Sequence, residues 1–209
     1  MVKTPKILPL IYPHFEWEVK TDEKKIFLTF DDGPIPEITD FVLETLAEFN
    51  ARATFFSIGD NIRKHPEVFQ KVIARGHSIG NHTFNHLNGW KTDNNEIYWD
   101  NIRQCQEYID QYYSRDRKKL FRPPYGRVKR RQAAPLLDDY RIIMWSVLTK
   151  DYNAELNEQT CLSKSIRAAG SGSIVLFHDS LKASKNLFYV LQRFLSEFAG
   201  RGFVFEGID

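Results

Sequence analysis

The chain has 209 residues, a length that fits one domain with a substantial hydrophobic core or, at most, two small domains. Hydrophobic residues make up 42% and charged residues 27%, as in an ordinary soluble globular protein, and 29 basic against 27 acidic side chains leave a net charge of +2. This charge is too small to indicate a nucleic-acid-binding protein, and no apolar run reaches the ~18 residues of a membrane span.

Strand-like and helical segments alternate along the chain after its first 24 residues. The apolar run of Lys25–Phe30 is typical of a buried strand, and the spacing of apolar residues in Ile38–Phe49 is typical of a helix. The later predicted elements are, in chain order, a strand at Ala53–Ile58, a helix at Asn61–Ala74, a strand at His77–Gly80, a helix at Asn94–Tyr113, strands at Leu120–Phe121 and Tyr140–Ser146, a helix at Asn157–Ala169, a strand at Ile174–Phe177, a helix at Leu181–Ala199 and a strand at Phe203–Phe205.

This alternation predicts an α/β protein with a parallel sheet of about seven strands. It does not distinguish an open, doubly wound sheet from a barrel, but in both architectures the loops that leave the carboxyl ends of the strands carry the chemistry. Residues 1–23 lack the alternation and are predicted to form an N-terminal arm packed on a single domain of residues 24–209, since no repeat, low-complexity tract or linker is present.

The N-terminal stretch and the cysteines bear on the cellular compartment. The stretch begins basic, but Pro9 and Pro13 interrupt its apolar run and no small-residue cleavage site follows, so a secretory signal is not predicted. Cys105 and Cys161 are the only cysteines, and two free thiols in a reducing compartment are favoured over a disulfide. These features predict a cytoplasmic protein.

Two clusters of chemically active side chains follow the first and third predicted strands. The sequence "TFDDGP" places Asp31 and Asp32 after the first strand, where two carboxylates could divide metal binding and proton transfer or form an ordinary turn. The sequence "GNHTFNH" spaces His82 and His86 four residues apart; on a helix such a pair can reach one ion, but solvated histidine pairs are also common. Neither cluster alone decides between a metal site and a polar turn.

Three further motifs lie at later strand ends. In "RPPYG" the prolines fix the backbone, which either forms a rigid surface turn or presents the Tyr125 amide. In "WSVLTKDY", Trp145 fits a strand core and a groove wall equally well. The strand "IVLFHDS" delivers His178 and Asp179 to its end, although a lone histidine at a strand end is often only a satisfied polar residue.

Taken together, the five motifs resemble those of the polysaccharide deacetylases, carbohydrate esterase family 4, which include chitin, chitooligosaccharide and peptidoglycan N-acetylglucosamine deacetylases. The resemblance extends from about Lys24 to Phe205, and the pairing of "TFDDGP" with "HTFNH" is its most specific part. It implies the family's distorted (β/α) barrel of parallel strands ringed by helices. It also implies metal-dependent removal of N-acetyl groups from a glycan or oligosaccharide that contains N-acetylglucosamine.

By this resemblance Asp32, His82 and His86 are the metal ligands. Two imidazoles and one carboxylate leave positions open for water and substrate, as a catalytic metal site requires. Zn²⁺ is the expected ion, with Co²⁺ and Mn²⁺ as alternatives.

The resemblance also implies roles for five further residues. Asp31 matches the general base that takes a proton from the metal-activated water, and His178 matches the general acid that protonates the departing amine. Tyr125 matches the residue whose backbone N–H, together with the metal, holds the oxyanion. Arg122 would hold Asp31 ionised, and Asp151 would orient and tune His178.

The fourth motif departs from the family pattern. Leu148 stands where the family usually has an acidic residue, and Tyr152 stands where it usually has the tryptophan of the groove wall. Tyr152 keeps an aromatic wall, and Tyr125, Trp145 and Leu176 are predicted to line the same groove. The departure makes this part of the site more apolar and leaves the substrate preference open.

The predicted partner is an N-acetylated glycan, and one basic run bears on its charge. Arg127–Arg131 follows the third motif on the predicted catalytic face. A solvated helix start is the favoured interpretation, and the attraction of an anionic glycan is the alternative.

Three other functions compete with N-deacetylation. A catalytically idle relative could hold a sugar without turning it over, but it would not need an intact set of Asp31, Asp32, His82, His86 and His178. A glycosidase using Asp31 and a second acid would not need the histidine pair. O-deacetylation, or hydrolysis of another C–N bond, could use the same residues.

Overall fold

The computed structural model describes residues 2–208, in which one curled sheet forms a half-barrel. Its nine strands are β1 (Phe15–Glu16), β2 (Lys25–Asp31), β3 (Thr54–Ser57), β4 (Ser78–Asn81), β5 (Lys119–Phe121), β6 (Tyr140–Ile143), β7 (Val147–Leu148), β8 (Ile174–His178) and β9 (Val204–Glu206). They are ordered β1-β6-β5-β4-β3-β2-β8-β7, with β9 beside the first half of β2, and every pairing between them is parallel. The predicted α/β class and distorted barrel are confirmed, and the two-residue strands β1 and β7 are additional to the seven expected.

Eight α-helices of the described chain accompany the sheet. They are α1 (Ile7–Ile11), α2 (Ile38–Glu48), α3 (Gly59–Lys64), α4 (Pro66–Ala74), α5 (Asn95–Asp110), α6 (Arg130–Ala133), α7 (Glu158–Ala168) and α8 (Ser184–Gly200). Three short 3₁₀ turns lie at Gly89–Lys91, Pro124–Gly126 and Ala134–Leu137.

The central strand of the sheet is β2. All of its residues except Lys25 are buried, because β3 and β8 flank it and helices cover the outer face. The ring of Phe30 stacks between Phe55 of β3 and Phe177 of β8, at centroid distances of 5.1 and 5.7 Å. Phe194 of α8 meets Phe177 edge-on at 5.7 Å, which joins the helical layer to the sheet. A near-continuous apolar run is expected for a parallel strand covered on both faces.

The strand register brings the motif loops to one edge of the sheet. Asp31, the last residue of β2, pairs in register with His178, the last residue of β8. Asn81 of β4 pairs with Phe121 of β5, the residue before the third motif. Because parallel strands end at the same edge, the loops that follow β2, β4, β5 and β8 converge there.

One predicted helix is divided in the structure, and one predicted strand is shorter than expected. The expected helix Asn61–Ala74 ends at Lys64 and resumes at Pro66, because proline restricts the residue before it; His65 has φ −133° and ψ 54°. The expected strand Tyr140–Ser146 ends at Ile143.

The segment after β6 crosses from one end of the sheet to the other. The N–H of Met144 donates to the carbonyl of Glu16 in β1 (2.7 Å), whereas the N–H of Ser146 donates to the carbonyl of Ile174 in β8 (3.1 Å). This crossing brings the two outer ends of the curled sheet together and explains why β6 ends at Ile143 instead of continuing to Ser146.

Residues 2–23 make contacts along the same curl. β1 pairs with β6, and Lys3 forms an antiparallel bridge with Val147. The division into an arm of residues 1–23 and a domain of residues 24–209 stays a prediction, and the outermost residues of both, Met1 and Asp209, lie outside the described residues.

Two other expectations can be compared with the structure. Cys105 and Cys161 are buried and free, as predicted. Between residues 2 and 208, no helix combines the length and the apolar character needed to cross a membrane. The cellular compartment stays a prediction.

Candidate active site

A cavity of about 700 Å³ opens at the carboxyl ends of β2, β4, β5 and β8. Its lining includes the predicted residues Asp31, Asp32, His82, His86, Tyr125, Trp145, Tyr152, Leu176 and His178, together with Leu148. The other two predicted site residues, Arg122 and Asp151, are buried behind the lining, where they contact Asp31 and His178. The structure therefore brings all of the predicted site residues together.

Asp32, His82 and His86 form a cluster that can hold a metal ion, since each offers one ligand atom within 4.8 Å of the others. The Oδ1 atom of Asp32 lies 3.4 Å from His86 Nε2 and 3.8 Å from His82 Nε2. Nitrogen and oxygen ligands about 2.0–2.1 Å from a tetrahedral ion lie roughly 3.3 Å apart. Asp32 Oδ1 is also buried without a hydrogen-bond partner in the described chain. Because such an atom is costly unless a cation or donor satisfies it, the cluster fits a divalent ion.

Neighbouring groups fix which nitrogen of each histidine faces the cluster. His82 Nδ1 lies 2.8 Å from the carbonyl oxygen of Arg122, and because a carbonyl only accepts, Nδ1 carries the proton and Nε2 keeps its lone pair. Burial lowers the pKa of His82 to about 3, so the ring is neutral. His86 Nδ1 lies 3.1 Å from the phenolic oxygen of Tyr125. The sequence predicted only a backbone and a groove role for Tyr125. The contact of its phenolic oxygen with Nδ1 orients the ring of His86 in the cluster.

Asp31 is held by a fully buried arginine. Arg122 donates to Asp31 Oδ1 at 2.7 Å, and its guanidinium lies 4.1 Å from the centre of the Phe56 ring. The remaining acceptors of the guanidinium are Thr29 Oγ1 (2.8 Å) and the carbonyl oxygens of Ile143 (3.0 Å) and Met144 (2.7 Å). Asp31 Oδ2 lies 3.6 Å from His82 Nε2, so this second oxygen faces the cluster.

His178 is held by Asp151 through two contacts. Its Nδ1 lies 2.8 Å from Asp151 Oδ1, and its backbone N–H donates to Asp151 Oδ2 at 2.7 Å. Burial lowers the pKa of His178, but the charges of Asp151, Asp32 and Asp31 outweigh that effect and raise the pKa to about 9. Nε2 is the nitrogen left to reach a substrate, and the ring is charged at neutral pH.

Comparison with known proteins identifies the family. Residues 18–138, more than half of the chain, match the family model described as polysaccharide deacetylase. The chain belongs to the polysaccharide deacetylase family.

Individual relatives of this polysaccharide deacetylase agree with the family model. This chain is 32% identical to a peptidoglycan-N-acetylglucosamine deacetylase of Bacillus cereus, and the alignment covers 92% of this chain and 90% of the relative. It is 34% identical to a chitooligosaccharide deacetylase of Azorhizobium caulinodans, with 77% and 76% covered. The chain spans only 38% of the length of a longer relative, the peptidoglycan-N-acetylglucosamine deacetylase PgdA of Listeria monocytogenes.

The structural comparison gives the same family. The fold superposes on the crystal structure of a peptidoglycan N-acetylglucosamine deacetylase with a TM-score of 0.88 and 27% identity. The match covers 98% of this chain and 95% of the other.

The site loops of the deacetylase carry most of its unusual backbone conformations. Seven non-glycine residues between positions 2 and 208 have positive φ, and six of them lie in the loops after β2, β4, β5 and β7. The six are Asp32 (87°), Glu37 (67°), Thr83 (65°), His86 (60°), Tyr125 (60°) and Lys150 (64°). Side chains disfavour this left-handed region, so the surrounding contacts must hold these residues in place.

Asp179 is a positioning residue to which the sequence motif assigned no role. Its buried carboxyl group, whose pKa burial raises to about 8, accepts the N–H of Gly33 at 2.9 Å and the hydroxyl of Thr39 at 2.7 Å, while the backbone N–H of Asp179 donates to the carbonyl of Asp31 at 3.0 Å. A Cβ on Gly33 would lie 2.0 Å from this carboxyl group, so only glycine fits there. Asp179 thereby fastens the loop that carries Asp32 to the end of β8.

A second missed residue supports the His178–Asp151 pair. The side-chain amide of Asn186, buried on α8, donates to the carbonyl oxygens of Asp151 and Asn153, both at 3.0 Å. The sequence signal, one asparagine in an apolar helix face, is too weak to identify such a contact in advance.

We expect purified protein to bind about one divalent ion per chain, and the variants His82→Ala and His86→Ala to lose it, because each removes one of three ligands. Metal content after dialysis, measured by mass spectrometry, checks this. His14→Ala, which changes an exposed histidine outside the cavity, is the matched control. Full metal occupancy in the double variant His82→Ala, His86→Ala would reject the assignment of the metal ligands.

Asp179→Ala should leave the Gly33 N–H and the Thr39 hydroxyl without their acceptor and loosen the loop that carries Asp32. We expect a loss of about 1–3 kcal/mol in the free energy of unfolding and weaker metal binding. Asp179→Asn keeps one acceptor oxygen and should recover part of both, whereas the exposed Asp22→Ala should change neither. Denaturant titration and calorimetric metal titration measure the two effects. Wild-type stability and affinity in Asp179→Ala would contradict the role.

Proposed function

We propose that the chain is a metal-dependent hydrolase that removes N-acetyl groups from a glycan or oligosaccharide containing N-acetylglucosamine. One observation carries the proposal: Asp31 and His178, register partners at the ends of β2 and β8, line the same cavity as the cluster of Asp32, His82 and His86. A carboxyl group paired with a buried arginine and a charged acid beside a metal-capable cluster suit the hydrolysis of an acetamide. Relatives that are peptidoglycan-N-acetylglucosamine and chitooligosaccharide deacetylases support the substrate class.

The ion would be held by Asp32, His82 and His86, and when bound it supplies electrophilic polarisation and lowers the pKa of water. Two imidazoles and one carboxylate favour Zn²⁺, with Co²⁺ and Mn²⁺ as alternatives.

The proton transfers are assigned to two residues. Asp31, paired with Arg122 through one oxygen, accepts the proton of the attacking water through the oxygen that faces the cluster. His178 donates its Nε2 proton to the departing sugar amine, while Asp151 holds the other ring nitrogen. The backbone N–H of Tyr125 is proposed to stabilise the oxyanion.

The acetyl group and the sugar are proposed to meet the apolar side of the cavity. Leu148 and Leu176 are register partners on β7 and β8 and form a continuous apolar surface suited to a methyl group. Trp145 and Tyr152 offer aromatic faces or edges to the sugar ring.

Acetate release tests the proposal directly. Metal-loaded protein should release acetate from chitotetraose or from peptidoglycan fragments. Asp31→Asn should lower kcat by ~10²–10⁴, the usual contribution of a positioned base, without loss of metal. Acetate release from acetylated xylan, which carries O-acetyl groups, would indicate O-deacetylation. New reducing ends, measured in a separate assay, would indicate a glycosidase. Absence of acetate from every substrate would indicate an idle relative, and near-normal turnover in Asp31→Asn would place the base elsewhere.

The pH profile tests the acid. Because nearby anions raise the pKa of His178 to about 9, the acid stays protonated into the alkaline range. Asp151→Asn removes one of these anions, so the pKa should fall and the alkaline limb of kcat should move to lower pH, with a reduced maximum. Leu148→Ala, which removes no charge, should leave the limb in place. An unmoved limb in Asp151→Asn, with metal saturation checked at each pH, would reject the pairing.

A further inference from the structure

Two cations line the catalytic cavity without a carboxylate partner among residues 2–208. Arg127, in the loop after β5, lies with its guanidinium 5.2 Å from the centre of the Trp90 ring. Lys182, in the loop after β8, lies with its ammonium 5.7 Å from the centre of the Tyr152 ring. Both side chains are exposed, and neither forms an ion pair within the described chain.

The sheet order sets these cations on opposite sides of the metal-capable cluster. In the sheet, β5 and β8 are separated by β4, β3 and β2. The cluster residues follow β2 and β4, which lie between the strands that precede Arg127 and Lys182. A chain of sugars laid across the cluster would therefore run between the two cations.

The other basic residues of the run Arg127–Arg131 have different surroundings. Lys129 pairs with Asp93 at 3.1 Å, and Arg130 lies over the ring of Tyr12 at 5.7 Å. Arg131 is exposed and does not line the cavity. The run is therefore not one uniform solvated face, because only its first residue reaches the cavity.

The charges around the cavity favour an anion at its rim. The charge of Asp31 is matched by Arg122, and Asp151 faces His178 in the same way. Among the other charged groups of the lining, the two positive charges of Arg127 and Lys182 exceed the single negative charge of Asp32. A divalent ion on the cluster would add to this excess, and a cavity lined by one sign of charge concentrates ligands of the opposite sign. Stacking on an aromatic face fixes a guanidinium while leaving its N–H groups free to bind a carboxylate or phosphate.

We propose that the substrate is an anionic glycan, and that Arg127 and Lys182 bind carboxylate or phosphate groups on sugars that flank the one being deacetylated. This inference rests on the proposed deacetylase function of the same site. It makes the two cations specificity-determining residues.

The test compares matched oligosaccharides that differ only in charge. One pair is a peptidoglycan-derived tetrasaccharide with free lactyl carboxylates and its methyl ester; the other is chitotetraose with and without a 6-phosphate. We expect kcat/KM to be about tenfold higher for a charged form at low salt, and this preference to decline as salt is added. Which pair shows the larger preference identifies carboxylate or phosphate as the preferred group.

Variants assign the preference to the two residues. The double variant Arg127→Gln, Lys182→Gln should lose the preference for the charged form. The double variant Arg131→Gln, Lys185→Gln removes the same number of charges from exposed positions outside the cavity and should retain it. Equal kcat/KM for charged and uncharged forms, or a preference that survives in the first double variant, would overturn the inference.

Binding separates this inference from the function on which it rests. The affinities of the same oligosaccharides, measured by calorimetry on Asp31→Asn, do not depend on turnover. Acetate release from no substrate would reject the proposed function, while the ratio of affinities for charged and uncharged forms would still support or overturn the anionic-glycan inference.

Discussion

The buried ion pair between Arg122 and Asp31 is the interaction on which the rest of the site depends. Removing two charges from water costs several kcal/mol per ion unless each is well paired. Here the guanidinium donates to Asp31, a threonine hydroxyl and two carbonyl oxygens, and one face covers the Phe56 ring. Two of those acceptors, Ile143 and Met144, lie where the chain crosses between the outer ends of the sheet. One side chain thus joins the proposed base to the segment that brings the curled sheet together.

The same arginine reaches the metal-capable cluster through its backbone, because its carbonyl oxygen holds Nδ1 of His82. The neighbouring aspartates consequently have opposite environments. One oxygen of Asp31 accepts a hydrogen bond from the buried Arg122, whereas Asp32 has a buried oxygen without a hydrogen-bond donor. The unpartnered oxygen of Asp32 can bind a cation, whereas the carboxyl group of Asp31 already has a cationic partner. Environment, and not residue type, separates the two proposed roles.

The motifs were predictable from the sequence because each lies within a few residues of a strand end. The aspartate pair after β2 and the histidine pair after β4 needed only a parallel sheet to meet. The contacts of Asp179 and Asn186 were not predictable, because they join positions 146 and 35 residues apart and leave no local pattern. The contact between the phenol of Tyr125 and His86 was not predicted for a related reason. It depends on a left-handed backbone conformation at Tyr125, which sequence periodicity does not encode. Tertiary contacts, and not propensity, decide such details.

The residues proposed for the chemistry lie deep in the cavity, and those proposed for substrate recognition lie at its rim. Its floor consists of residues at strand ends, held by buried partners such as Arg122 and Asp151, so their geometry is fixed by the sheet. Its rim consists of exposed side chains on loops, among them Arg127 and Lys182, whose neighbours are aromatic rings. Loops tolerate substitution far better than packed strand ends, so a change at the rim can alter which glycan enters without disturbing the floor. Leu148, on β7, gives the cavity wall an apolar side chain, while Asp151, deeper in the fold, holds the imidazole of His178.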